Sequence, residues 1–158
     1  MGTLVDVSAS DYPPLKITRI FDAPRELVFK AWTDADHLKR WWGPRDFTNP
    51  VCEIDVRRGG AIRIDMRSPD GTVYPMTGVF QEVIAPERLV FKSMAMDGAG
   101  APLFEILNTV LFSDENGKTK LTIEARVLKT TADAGQYLDG MNEGWNQSLD
   151  RLAEVLTH

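Results

Sequence analysis

The chain has 158 residues and a formal net charge of −5 at pH 7, a length that suits a single domain burying roughly 70% of its unfolded surface. Hydrophobic residues make up 43% and charged residues 26%, which excludes a disordered or fibrous chain and is typical of an ordinary soluble protein. The negative balance argues against nucleic acid as a partner.

The expected compartment is the cytoplasm. Cys52 is the only cysteine, so an intrachain disulfide is excluded and secretion gains no support. The N-terminus lacks the charged start and apolar run of a signal peptide. Every apolar stretch is too short to span a bilayer, so no membrane span is predicted.

The first predicted elements are a strand and two short helices. Residues 1–14 are polar and irregular and indicate a flexible leader, followed by a single domain over residues 15–158. Alternation over 15–21 predicts a strand. Asp22 as a cap and Pro24 in the first turn predict a helix start. Thr33 and Asp36 resemble a capping box, so a second helix is expected to end near Trp41, before Gly43.

From residue 51 to residue 127 the apolar residues recur with period two, which predicts sequential antiparallel strands. Turn chemistry at residues 68–71 and the Asn116-Gly117 pair mark two of the hairpins. Strand parity predicts one apolar face, made of Ile62, Ile64, Met66, Leu89, Phe91, Phe104, Ile106, Val110, Leu121, Ile123 and Ala125.

After Thr131 the apolar period becomes helical. The stripe consists of Tyr137, Met141, Trp145, Leu149, Leu152 and Leu156. It predicts one helix of about 24 residues. The apolar face of the sheet must be covered, and this helix is the only predicted element large enough to cover it. The expected fold class is therefore α+β.

Several motifs in this order resemble the SRPBCC superfamily, whose helix-grip fold is shared with START lipid-transfer domains, and within it the group named after the activator of heat-shock-protein-90 ATPase. The matching residues are Phe21-Asp22-Ala23-Pro24, Val28-Phe29, Trp32-Thr33-Asp34, Trp41-Trp42-Gly43-Pro44, Asp55, Gly59-Gly60, Gly78-Val79-Phe80, Glu82-Val83, Pro86-Glu87-Arg88-Leu89, Gly144-Trp145, Leu149 and Leu152. The resemblance implies a curved antiparallel seven-stranded sheet wrapped around a long C-terminal helix, with a cavity between them. It carries no single catalytic constellation.

Residues on the sheet and the terminal helix are candidates for such a pocket. They are Trp41, Trp42, Ile64, Met66, Phe80, Phe91, Phe104, Ile106, Asn108, Val110, Tyr137, Met141, Gly144 and Trp145. Gly140 and Gly144 each cost roughly 1 kcal/mol against alanine inside a helix. Two such residues on one helix face indicate a close neighbour, either a packed strand or a ligand. Asn108 and Ser93 fall on the inner parity and need a backbone, water or ligand partner.

No catalytic or metal-binding constellation is recognisable. His37 and His158 have no metal-ligand spacing, and Cys52 has no partner that would lower its pKa, so no metal and no cofactor are expected. Glu82, Asp65 and Glu105 are candidates for acid–base work if they are buried, but each is expected to face outward on the sheet.

Three functions remain open. The first is binding of a small hydrophobic or amphipathic ligand, such as a lipid, in the cavity. The second is an enzyme of the polyketide cyclase or hydrolase kind, which the superfamily also contains. The third is a protein-interaction role of the co-chaperone type. This role is less expected, because the eukaryotic activators carry an additional N-terminal domain for which a chain of 158 residues has no room. A homodimer is compatible with all three.

Overall fold

The computed structural model describes residues 4–7, 12–131 and 135–157, without the side chains of residues 136 and 137. Within these residues the elements are β1 (Val5–Asp6), β2 (Leu15–Phe21), α1 (Arg25–Thr33), α2 (Ala35–Trp41), β3 (Thr48–Ile54), β4 (Ala61–Arg67), β5 (Val73–Ile84), β6 (Arg88–Met96), β7 (Pro102–Glu115), β8 (Lys118–Thr130), α3 (Gly135–Asp139) and α4 (Met141–Leu156). This order confirms the predicted α+β class.

The strands form one antiparallel sheet in the order β1-β8-β7-β6-β5-β4-β3, with β2 also paired to β8. Register shifts occur between β3 and β4, β5 and β6, β6 and β7, and β7 and β8. An extra residue on one strand bends the ladder and increases its twist. The two-residue β1 was not predicted. Val5 pairs with Thr130 and Asp6 with Lys129, within the segment expected to be irregular.

The two short helices begin at caps that differ from the predicted ones. Pro24 occupies the N-cap position of α1 and no side chain caps it, so Asp22 does not have the expected role. Asp34 caps α2 by accepting hydrogen bonds from the amides of Asp36 and His37. The capping box expected at Thr33 is wrong, because this hydroxyl donates to the carbonyl of Phe29, 2.9 Å away.

The terminal helix is shorter than predicted. Helix α4 has 16 residues, and the five-residue α3 precedes it. The break falls at Gly140, the N-cap of α4, where a helix interior would be weakened by the flexible backbone of glycine. Residues 132–134 of the predicted helix lie outside the described residues. Leu138 of α3 is buried in a small cluster with Ile106, Ala125 and Val127.

The core occupies one half of the space between the sheet and α4. Leu149 and Leu152, in the C-terminal half of α4, are fully buried against the sheet. Most of the predicted inner face of the sheet is buried there, including Ile64, Leu89 and Ile123. The N-terminal half of α4 stands over strand ends that are less completely covered, and this is where the candidate site lies.

Candidate functional site

A cavity of about 370 Å³ lies between the N-terminal half of α4 and the sheet, within the volume range of small-molecule sites. Its wall is formed by Trp42, Gly43, Pro44, Phe47, Met66, Tyr74, Pro75, Met76, Ser93, Ala95, Met96, Leu103, Phe104, Ile106, Asn108, Gly140, Met141, Gly144, Trp145 and Ser148. These residues come from the segment after α2, from β4 to β7, and from the start of α4. Most of them are apolar, so the cavity favours an apolar guest.

Gly144 leaves space on the helix side of the cavity. A Cβ atom added to this glycine would meet no atom within 4 Å. The alternative that Gly144 permits tight packing of helix against strand is therefore wrong. Gly140 also lines the cavity, but as the N-cap of α4 rather than inside the helix. Gly140 and Gly144 therefore present backbone atoms without a side chain to the cavity.

Aromatic rings connect the cavity to the core. Trp42 and Trp145 line the cavity with their ring centroids 5.5 Å apart and their planes at 83°. Both rings pack against Trp32, which is only 3% exposed. Edge-to-face ring pairs at these distances stabilise the fold by more than the burial of their apolar area alone would give. The aromatic wall is therefore held by the core and is rigid compared with the methionines.

Four methionines supply the soft part of the wall, namely Met66, Met76, Met96 and Met141. An unbranched thioether side chain fills irregular space and changes rotamer easily. The Sδ atom of Met66 lies 3.1 Å from the position where a Cβ on Gly43 would stand. Gly43 has a φ of 92°, which a side chain would strain. The cavity wall is therefore closely packed at the segment after α2, although it is adaptable elsewhere.

Arg151 fixes the segment after α2 against α4. Its Nη1 atom donates to the carbonyls of Trp42, Gly43 and Pro44 at 3.0, 3.0 and 2.9 Å, and its Nη2 atom donates to the carbonyl of Arg40 at 3.0 Å. Burial lowers the pKa of this guanidinium, which nevertheless remains charged at neutral pH. Carbonyls at the C-terminus of α2 attract the cation. The fork therefore positions three residues of the cavity wall.

Four side chains with a hydroxyl or amide group line the cavity, namely Tyr74, Ser93, Asn108 and Ser148. Asn108 is 2% exposed, and its Nδ2 atom donates to the hydroxyl of Ser93 at 3.0 Å and to the carbonyl of Phe91 at 3.3 Å. Ser148, one turn after Gly144 on α4, is 5% exposed. A few buried polar groups among apolar walls are what orient a ligand in most sites.

The wall carries little ionisable chemistry. Within the described residues that line the cavity there is no Asp, Glu, His, Lys, Arg or Cys. Each of the three carboxylates considered as an acid or base lies elsewhere. Glu82 faces Arg88 across 3.4 Å, and Asp65 faces Arg63 across the same distance. Glu105 pairs with Lys129 in the sheet.

Cys52 is half-buried in β3, away from the cavity. Burial raises the pKa of its thiol to about 11, and the charge of nearby Lys39 lowers it only in part. A thiol with so high a pKa is protonated at neutral pH and is a poor nucleophile. The structure therefore agrees with the expectation of an unreactive cysteine.

The structure places most of the predicted pocket residues at the cavity. Those that line it are Trp42, Met66, Phe104, Ile106, Asn108, Met141, Gly144 and Trp145. The side chain of Tyr137 lies outside the described residues. The remaining five do not line the cavity, although strand parity and the paired tryptophans suggested them.

The five predicted residues that do not line this cavity belong to the packed half of the molecule. Trp41 is fully buried, and its indole N–H donates to the carbonyl of Ala31 at 3.0 Å. Val110 is fully buried in the core. Ile64, Phe80 and Phe91 surround a separate void of about 20 Å³, which has room for little more than one water molecule. They share the inner face but lie further along the strands.

Several wall residues were not predicted. The β4–β5 hairpin pairs Met66 with Tyr74 and Ile64 with Met76. The turn at residues 68–71 could have fixed this register. With Met66 on the inner face, the register would have predicted Tyr74 and Met76 as wall residues. Phe47 and Pro44 follow α2 and give no periodic signal. Ser148 could have been found four positions after Gly144, on the same face of the helix.

The elements together define a helix-grip fold, with a partly open apolar cavity beside α4. The profile of the family described as activator of Hsp90 ATPase homolog 1-like protein matches residues 22–157. The chain belongs to this family, as the ordered motifs of the sequence predicted. No curated protein matches the chain.

Solved structures of three bacterial proteins are similar over nearly the whole chain. Protein Ms6760 from Mycobacterium smegmatis is 28% identical, with a TM-score of 0.77 and coverage of 98% of this chain and 97% of that one. Protein CV1439 from Chromobacterium violaceum is 25% identical, with a TM-score of 0.79 and coverage of 90% and 96%. The AHSA1 protein from Silicibacter pomeroyi is 25% identical, with a TM-score of 0.76 and coverage of 91% and 97%.

Across residues 4–7, 12–131 and 135–157, none of the helices has both the length and the apolar character needed to cross a membrane. In the same part of the chain, no three His, Cys, Asp or Glu side chains are grouped so that they could hold a metal ion.

Proposed function

We propose that the protein binds a small hydrophobic or amphipathic molecule in the cavity between the sheet and α4. The observation that carries this proposal is the open space beside Gly144, where a Cβ atom would contact nothing within 4 Å. A helix glycine that packs against no neighbour costs stability, and burial of a guest against the same backbone offsets that cost.

The lining of the cavity supports binding more than acid–base catalysis. Indole rings and thioethers form large parts of the wall, and they contribute through the hydrophobic effect and dispersion. General acid–base catalysis needs a group that titrates near the working pH within reach of the substrate. The described wall residues include no Asp, Glu, His, Lys, Arg or Cys that could take this role.

The first experiment is native mass spectrometry of the purified protein, followed by extraction and identification of any small molecule that co-purifies. A stoichiometric mass increase that is removed by organic solvent supports the proposal. Gly144→Leu places a branched side chain in the cavity, and we expect it to abolish the added mass while the fold is retained by circular dichroism. Gly144→Ala is the matched control, because a single methyl group fills little of the volume.

Two outcomes with these variants would contradict the proposal. If Gly144→Leu retains the added mass, the molecule is bound elsewhere and the proposal is wrong. If Gly144→Leu fails to fold while Gly144→Ala folds normally, the space beside the helix is closed in solution. This outcome also contradicts the proposal.

A further inference from the structure

We infer that the cavity selects an uncharged ligand that carries a hydroxyl group, and that this group is held by Asn108 together with Ser93 and Ser148. The inference rests on the proposed function, because it specifies the chemistry of the molecule that occupies the same cavity. It comes from the hydrogen-bonding capacity that the buried polar side chains leave unused.

Asn108 has an unused acceptor. Its Nδ2 atom donates to three oxygen atoms, those of the Ser93 hydroxyl and of the Phe91 and Ile106 carbonyls, at 3.0, 3.3 and 3.5 Å. These contacts fix the amide so that its carbonyl oxygen is the free end. No donor from the described part of the chain lies within hydrogen-bonding distance of Oδ1. Because Asn108 lines the cavity, a donor on a bound molecule can satisfy this oxygen.

The two serines have unused donors. Ser93 accepts a hydrogen bond from Asn108, so its own proton is free to be donated. The hydroxyl of Ser148 has no partner among the residues that the structure describes, although this side chain is 5% exposed and lines the cavity. The cavity therefore offers Asn108 Oδ1, which can only accept, and the hydroxyls of Ser93 and Ser148, which can donate and accept.

A hydroxyl group matches this set because one oxygen atom both donates and accepts. An ether or an aldehyde would leave Asn108 without a donor. A carboxylate would bring a charge into a wall that has no cation among its described residues, and an unpaired buried charge is strongly unfavourable. The guanidinium of Arg151 does not compensate, because its fork is occupied by four backbone carbonyls.

Three rigid probes of nearly the same shape test the inference, namely naphthalene, 2-naphthol and 2-naphthoate. Their dissociation constants are measured by equilibrium dialysis at pH 7, where 2-naphthol is neutral and 2-naphthoate is charged. We expect 2-naphthol to bind about tenfold more tightly than naphthalene, the effect of one or two satisfied hydrogen bonds. We expect no detectable binding of 2-naphthoate.

Substitution of the serines assigns the effect to the site. Ser148→Ala should reduce the affinity for 2-naphthol about threefold to tenfold and leave naphthalene unchanged, because only the hydrogen bond is lost. The double variant Ser93→Ala and Ser148→Ala should reduce the advantage of 2-naphthol further than Ser148→Ala alone, leaving only the part that comes from Asn108 Oδ1. Thr122→Ala, on the sheet but away from the cavity, is the control and should bind all three probes as the parent does.

The outcomes separate this inference from the proposed function. If naphthalene binds as tightly as 2-naphthol, or 2-naphthoate binds most tightly, the inference is wrong and the binding function stands. If Ser148→Ala and the double variant leave the preference for 2-naphthol unchanged, the inference is also wrong. If none of the probes binds, the inference is tested by the chemical identity of the molecule extracted from the purified protein. A co-purified molecule without a hydroxyl group overturns the inference alone, and the absence of any such molecule overturns both.

Discussion

The indole rings of Trp32 and Trp145 are stacked, with centroids 5.9 Å apart and planes 22° apart. Trp32 belongs to the buried core and Trp145 to the cavity wall. All four tryptophans of the chain, Trp32, Trp41, Trp42 and Trp145, are joined through such contacts. The aromatic wall of the cavity is thus continuous with the buried core. Substitutions of individual tryptophans can therefore test which rings contribute to stability and which contribute to binding.

The adjacent Trp41 and Trp42 should differ when replaced. Trp41→Phe removes the buried N–H that satisfies the Ala31 carbonyl, so we expect the free energy of unfolding to fall by about 2–3 kcal/mol. Trp42→Phe should cost about 1 kcal/mol or less and should weaken 2-naphthol binding instead. Urea unfolding followed by circular dichroism measures the first effect, and equal losses from both variants would contradict the separation.

Replacing Arg151 by methionine should loosen the segment after α2. The aliphatic stem is retained, but the carbonyls of Trp42, Gly43 and Pro44 lose their shared donor. We expect about 1–2 kcal/mol of lost stability, since the side chain is half-exposed and solvent partly replaces its hydrogen bonds. Hydrogen exchange should accelerate in residues 42–47.

Arg45→Met is the matched control for this change. Arg45 belongs to the same segment and pairs with Glu154 at 3.0 Å on the surface, where ion pairs contribute little. We expect exchange in residues 42–47 to be nearly unchanged. Equal acceleration in both variants would mean that Arg151 has no special role in holding the segment.

Gly144→Ala should stabilise the protein. The added methyl group meets open space and removes the glycine penalty of roughly 1 kcal/mol inside a helix, so the melting temperature should rise by about 2–4 °C. Gly140→Ala should give no such gain, because glycine is preferred to alanine at an N-cap. Scanning calorimetry of the two variants tests this, and a lower melting temperature for Gly144→Ala would show that the space is filled.

The Cys52 thiol should react slowly until the solution is strongly alkaline. Its pKa is raised to about 11 by burial, so the native protein holds the proton at pH values where an unfolded thiol has lost it. Native stability therefore decreases as the pH rises through the unfolded value. Alkylation by iodoacetamide should increase towards pH 11 in the native protein, whereas the urea-unfolded chain should react readily near pH 8.5. A native rate that levels off near pH 8.5 would contradict the assignment.

The sequence predicted the sheet and its inner face because strand parity is a local property. Residues Ile62, Ile64 and Met66 alternate with charged residues, and they do face inward. Strand parity could not distinguish residues that line the cavity from residues of the packed core. Met66 and Val110 are on the same face of the sheet, but Met66 lies at the cavity and Val110 in the core. Which end is filled depends on where α4 packs, and that depends on contacts between distant parts of the chain.

The helix ends were predicted less well, because neighbouring candidates compete for the cap. Thr33 and Asp34 are both suitable caps for α2. Asp34 is the cap, because the hydroxyl of Thr33 donates to the carbonyl of Phe29 instead. Gly140 ends α3 and begins α4, although the apolar stripe runs through it without interruption. The polar site was only partly predicted: Asn108 was found by strand parity, whereas Ser148 was missed although it lies one turn after Gly144 on the same face of α4.

The four wall methionines Met66, Met76, Met96 and Met141 make the chamber sensitive to oxidants. Conversion of a thioether to its sulfoxide replaces a soft apolar contact by a polar, chiral one. A single such event in the wall would place an unsatisfied oxygen where the guest packs, and repair would need a sulfoxide reductase that reaches a partly covered side chain. The chemistry that lets the wall adapt to its guest thus also limits how long the site remains intact under oxidative stress.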